Sequence, residues 1–155
     1  MFVIPDELRS FIESGVAVVA ATADSEGRPH VAFAWGTHVL EGGTRVAVCL
    51  ESSRAEQVIE DAREGTAIAV TFGHPTTYRS VQLKGTTRTA TAAGPHDEAR
   101  AAAHQGDFLS ATALVGDDPS TIRSCWSGQE SLLRLEFDVE RAFDQTPGPG
   151  AGREL

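Results

Sequence analysis

The chain has 155 residues, 41% of them hydrophobic and 23% charged, which suits one domain with an ordinary globular core and argues against disorder. Thirteen basic residues against 22 acidic ones leave a formal charge of -9. That sign repels nucleic-acid phosphates and anionic lipid, so neither is expected as a partner.

The two cysteines, Cys49 and Cys125, form no CxxC pair and are too few for a disulfide-stapled secreted scaffold. Met1 to Ser10 lacks the pattern of a signal peptide, and the longest apolar run, Val16 to Ala21, is too short to span a bilayer. A cytoplasmic location is expected. A single lysine, Lys84, beside 12 arginines and no asparagine points to a GC-rich bacterial genome.

Pro5 opens a helix in which Leu8, Phe11 and Ile12 make one apolar stripe, and Gly15 ends it. Val16 to Thr22 reads as a buried strand, and Asp24 to Pro29 as a turn. In the long strand Val31 to Leu40, Val31, Phe33, Trp35 and Val39 share one face, and Ala32, Ala34, Gly36 and His38 the other. A hairpin loop at Glu41-Gly42-Gly43 leads to Arg45 to Leu50, with Val46, Val48 and Leu50 on one face. A helix starts at Ser53 through a Ser53-x-x-Glu56 capping box, carries Ala55, Val58, Ile59 and Ala62 on one side, and stops at Gly65. Strands follow over Thr66 to Phe72 and Tyr78 to Thr91. Residues 96–104 are helical, with helix plus loop continuing to Gln129. Leu132 to Val139 alternates, with Leu133, Leu135, Phe137 and Val139 inward. The Pro/Gly-rich tail cannot hold regular structure and reads as a loose or draped end.

The order is helix, three strands, helix, two strands, helical insertion, last strand. Antiparallel strands avoid exposed edges by closing into a barrel whose ends the helices can plug. The expected fold is mainly β, a six-stranded antiparallel barrel over residues 1–143, with a tail over 144–155.

Three stretches carry a family resemblance. Gly27-Arg28-Pro29-His30-Val31 resembles a turn and second strand. Ser52-Ser53-Arg54 resembles a Ser-Arg-Lys helix start, and Tyr78 to Gly85 an Arg-Gln-Val-x-x-x-Gly strand. Together they are similar to the pyridoxamine 5′-phosphate oxidase family, whose fold is a six-stranded split β-barrel. The resemblance implies a homodimer with flavin mononucleotide (FMN) in the dimer cleft.

By that resemblance Ser52, Ser53 and Arg54 hold the phosphate, the backbone of Val31, Ala32, Phe33 and Ala34 flanks the ring, and Ser80 and Gln82 reach its polar edge. Lys84, on the same strand face as Ser80 and Gln82, reads either as reaching a cofactor phosphate or flavin oxygen or as a solvated strand lysine. A helix N-terminus with an arginine in its first turn is physically suited to phosphate. The same residues also read as an ordinary helix cap with a solvated charge.

The chain departs from the family at Ala55, where a lysine is usual, and along the uncharged stretch Phe33 to Gly36. It departs again at Ser80, in place of a ring-contacting glutamine, and over Asp144 to Leu155, which lacks the oxidase's basic and histidine residues. The expected function is therefore an oxidoreductase acting on a small molecule, related to the oxidase but distinct from it. The alternatives are a deazaflavin-using, haem-binding or cofactor-free binding protein of the same fold.

Trp35 and Trp126 suit either stacking on a flavin or packing in a core or dimer interface. Cys49 reads as a reactive thiol near the helix start or as a small strand hydrophobe. His30, His38, His74, His96 and His104 make no HxxxH or HExxH pattern, so a structural metal is not expected. One axial histidine would still suffice for haem. GxSxG, P-loop and GxGxxG motifs are absent, which leaves nucleophilic catalysis without support.

Overall fold

Alternating apolar positions in six segments build one wall. In the computed structural model, which describes residues 1–63, 65–124 and 131–155, these segments are β1 (Ala17–Ala23), β2 (Pro29–Val39), β3 (Arg45–Glu51), β4 (Ala67–Gly73), β5 (Ser80–Ala92) and β6 (Leu132–Asp144). They close in the order β1-β2-β3-β6-β5-β4, with every neighbouring pair antiparallel. The expected six-stranded antiparallel barrel is the fold observed.

The interior holds Val18, Ala20, Val46, Val48, Leu50, Val70, Phe72, Leu83, Leu135 and Phe137, all buried. Each large apolar side chain removed from water in this way contributes about 1.5–3 kcal/mol before its ordering cost. Helix α1 (Asp6–Ile12) sends Leu8, Phe11 and Ile12 into this core, and α2 (Glu56–Arg63) adds Val58, Ile59 and Ala62.

A second, smaller core lies outside the barrel wall. There α3 (Pro95–Ala113) and α4 (Pro119–Arg123) cover Trp35 of β2 and Cys49 of β3 with Ala101, Phe108 and Ile122.

Three local features differ from the sequence expectation. In β2, Val31, Phe33 and Trp35 do share the outer face, but Val39 turns inward. The β2–β3 register shifts between Trp35 and His38, where Gly36 has φ +63° and α3 passes so close that a Cβ would lie 2.8 Å from the Ala101 nitrogen. The bulge inserts a residue and reverses the parity beyond it.

The second helix begins at Glu56 rather than just after Ser53. Glu51 still pairs with Leu132 and the Ser52 N–H reaches the Ser131 carbonyl at 3.1 Å, so strand pairing runs further than expected. The Arg54 and Ala55 N–H groups then both return to the Glu51 carbonyl, at 3.2 and 3.0 Å.

Strand β5 begins at Ser80 because Tyr78 sits at φ +59°, in the turn where its N–H meets the His74 carbonyl at 3.0 Å.

Of the two readings of the tail, loose or draped, the structure shows the draped one. Beyond Asp138, which pairs with Arg45 at the start of β3, one edge of β6 has no strand partner from β3. The tail turns back there: the Asp144 N–H bonds the Arg153 carbonyl at 2.8 Å, the Leu155 N–H bonds the Ala142 carbonyl at 2.9 Å, and Glu154 pairs with Arg141. The Pro/Gly content supplies the reversal, and the open edge supplies the template.

Candidate functional site on the outer barrel face

Strand register places side chains from β2 to β6 in rows on the outside of the barrel. One row runs Phe33–Val19–Thr71–Gln82–Phe143, and the next runs Val31–Ala21–Ala69–Lys84–Arg141. Their neighbours along each strand, such as Val18, Ala20, Val70 and Leu83, point into the core. The distance from β2 to β5 is three strand spacings, about 14 Å.

This surface is small and apolar in the middle. At one end Val31 and Phe33 remain 67% and 60% exposed. At the other, the Gln82 amide donates to Thr71 Oγ1 at 2.9 Å, and the Phe143 ring carries Lys84 Nζ at 4.9 Å and the Arg141 guanidinium at 4.8 Å. Neither row contains a carboxylate, on a chain with 22 acidic residues. Ser80 lies in the row beyond, opposite Gly73 and Ala17.

Of the residues singled out from sequence, Val31, Phe33, Gln82 and Lys84 thus share one face. Ala32 and Ala34 are buried, leaving only their backbone for a ligand. Ser52, Ser53 and Arg54 form the turn after β3, beside β2, where Leu50 pairs with Ala34. Arg54 is half-exposed, and its Nε lies 3.3 Å from the buried Glu51 carboxylate. Ser52 also borders a cleft of about 380 Å³ with Glu56, Ile59, Glu60 and Leu133.

Sequence reasoning missed the middle of the face, Val19, Ala21, Ala69 and Thr71. A signal was present: β1 and β4 are apolar or small at both parities, and a strand with two apolar faces needs cover on both sides. Glu51 carried no such signal, because an acidic residue closing a strand usually faces water.

Trp35, Cys49 and His30 have structural surroundings of their own. Trp35 is buried between His104 and Phe108, at ring separations of 5.5 and 5.8 Å, and belongs to the outer core. Cys49 is buried there as well, and desolvation, then the nearby Asp97 charge, pushes its thiol up to about 12. Cys125 and Trp126 lie outside the described residues.

His30 meets Asp61 through Nδ1 at 3.0 Å, and Thr22 donates to the same carboxylate oxygen at 2.6 Å, which ties α2 to β1 and β2. Among the described residues no group of three or more His, Cys, Asp or Glu side chains is arranged to hold a metal ion. Nor is any described helix long and apolar enough to cross a membrane.

The donors of the outer face, Lys84, the Gln82 amide and Arg141 with its Glu154 partner, stand beside apolar walls with a half-exposed arginine on the adjoining turn, a set that fits a flat conjugated ring with an anionic tail.

Comparison with known proteins bears on the family and the fold. The profile of the Pyridoxamine 5'-phosphate oxidase family matches residues 4–126. No curated protein matches the chain. Among solved structures, HupZ of Group A Streptococcus is similar at 19% identity and a TM-score of 0.56, over 96% of this chain and 99% of that one. An F420 reductase is similar at 14% identity and a TM-score of 0.56, over 90% and 98%. A putative pyridoxamine 5'-phosphate oxidase from Lactobacillus delbrueckii is similar at 12% identity and a TM-score of 0.53, over 90% and 92%. At these identities the likeness is one of fold.

Proposed function

This chain belongs to the pyridoxamine 5′-phosphate oxidase family, and from that premise we propose that it is an FMN-binding homodimer acting as an oxidoreductase on a small molecule. The observation that carries the reading is the outer face, whose two strand rows contribute no carboxylate, with exposed Val31 and Phe33 at one end and Gln82 and Lys84 at the other. The bacterial, cytoplasmic setting expected from the sequence goes with it.

In this reading Val31 and Phe33 wall the ring, and the backbone of Val31, Ala32, Phe33 and Ala34 flanks it. Ser80, Gln82 and Lys84 serve its polar edge, while Ser52, Ser53 and Arg54 hold the phosphate. A bound flavin supplies reversible hydride and electron transfer. The protein contributes orientation, a positive potential from Lys84 and exclusion of water by the apolar wall.

Oxidase activity proper is not part of the reading. In the folded-back tail Arg153 lies near Asp144, and Glu154 engages Arg141, so the local basic groups already have carboxylate partners. A deazaflavin is the second reading, since it shares the flat ring and anionic tail and an F420 reductase has the same fold.

The absorbance spectrum of protein purified from a flavin-producing host tests the proposal. Flavin bands are expected, and Arg54→Ala should weaken FMN uptake about tenfold, as for loss of one charge-assisted bond. A colourless protein that takes up neither FMN nor a deazaflavin would end both readings.

A further inference from the structure

We infer that Glu51 is a specificity-determining residue that limits how much negative charge the phosphate turn accepts, an inference that rests on the flavin reading above. Glu51 closes β3 in register with Leu132 and is only 5% exposed. A carboxylate at that depth stays ionised only with a cationic or hydrogen-bonding partner. Arg54 is such a partner, with its Nε 3.3 Å from Glu51 Oε2.

The two residues stand on one turn, which keeps their backbones close. The Arg54 and Ala55 N–H groups both bond the Glu51 carbonyl, at 3.2 and 3.0 Å. A phosphate approaching Arg54 therefore meets a guanidinium already shared with a carboxylate, and a fixed negative charge directly behind it. Glu56 and Glu60, which line the adjoining cleft, add potential of the same sign.

Coulomb repulsion scales with the charge brought in. A phosphate monoester, close to a dianion above its second pKa near 6, is penalised about twice as much as a diester monoanion. A neutral tail is not penalised at all. Arg54 attracts in the same proportion, so Glu51 narrows the advantage that the turn gives a doubly charged tail over a singly charged one.

The test is a fluorescence titration of the full chain at pH 8 with riboflavin, FMN and the methyl monoester of FMN, which is a phosphodiester monoanion. Wild-type protein should bind FMN less than tenfold more tightly than the diester. Glu51→Gln should raise FMN affinity about tenfold while moving riboflavin affinity less than twofold, with the thermal midpoint recorded as a control for folding.

Should Glu51→Gln fail to fold, the wild-type series decides alone: FMN binding tenfold tighter than the diester overturns the inference. An unchanged FMN-to-riboflavin ratio in a folded Glu51→Gln variant overturns it as well, and leaves the flavin reading standing. Absence of binding by all three ligands, in wild type and variant, removes the flavin reading and this inference together.

Discussion

His104 on α3 accepts the backbone N–H of Gly36 at 2.9 Å through Nδ1, across 68 residues of chain. That bond fixes the tautomer, so Nε2 carries the proton and donates to the Val16 carbonyl at 2.7 Å. One neutral imidazole thereby joins the insertion helix to the bulge of β2 and the start of β1. Burial holds its pKa below the usual histidine value of 6.5, against the smaller raising effect of the Val16 bond.

A histidine depressed in the folded state is neutral there while the unfolded chain takes up a proton. Its stabilising effect is therefore complete above about pH 6.5 and is lost as pH falls from there towards the folded value. The thermal midpoint should drop through that window, and less so in His104→Gln. That variant should itself cost about 2–3 kcal/mol at pH 8, because a buried backbone group loses a partner. A wild-type midpoint independent of pH between 7 and 5 would contradict the assignment.

Much of the barrel was legible because its signals are local. The alternation of Leu133, Leu135, Phe137 and Val139, the stripe Leu8-Phe11-Ile12 and the loop glycines Gly42 and Gly43 each need only neighbours in sequence to be read. The reversal at Gly36 was hidden, since it arises where α3 passes Ala101 against β2, a contact made far along the chain. The late start of α2 was hidden for a similar reason. The capping pattern at Ser53 is real as a pattern, but continued pairing of Glu51 and Ser52 with residues near 131–132 outcompetes it. At the site, Gln82 and Lys84 could be placed on one strand face from sequence. Their alignment with Phe33 and Val31 depends on the registers of β1 and β4, which composition does not encode.

Gly85 tests the packing of β5 against β6. The register between these strands shifts between Lys84 and Gly85, and a Cβ on Gly85 would sit 1.7 Å from the Asp138 carbonyl oxygen. No rotamer relieves a clash between Cβ and backbone, so Gly85→Ala must part the two strands. A loss of roughly 3 kcal/mol or more is expected in denaturant unfolding, at the large end for a single substitution. A variant within about 0.5 kcal/mol of wild type, the range of neutral surface changes, would show that the bulge is not as tight as described.

Cys49 should be inert in the native protein. Its thiol is buried, and desolvation pushes its pKa up to about 12, so almost no thiolate exists at pH 8. Iodoacetamide should leave the Cys49 peptide unmodified until denaturant is added, as read by mass spectrometry. Rapid labelling without denaturant would mean that α3 opens readily from the barrel wall.

The last prediction concerns the exposed pair on β2. Val31 and Phe33 are 67% and 60% exposed, side by side on one strand face, which is how an unpartnered half of an interface looks. If two copies meet there, the protein should run in sedimentation equilibrium at twice its 16.4 kDa. Phe33→Asp should then place an unpaired charge at the contact and weaken the dimer by about 2 kcal/mol or more, roughly thirtyfold. Because the side chain contributes little to the barrel interior, the unfolding midpoint extrapolated to the monomer should change only slightly. A wild-type monomer, or a Phe33→Asp protein that remains fully dimeric, would move the interface elsewhere and free this face for a ligand bound by one protomer alone.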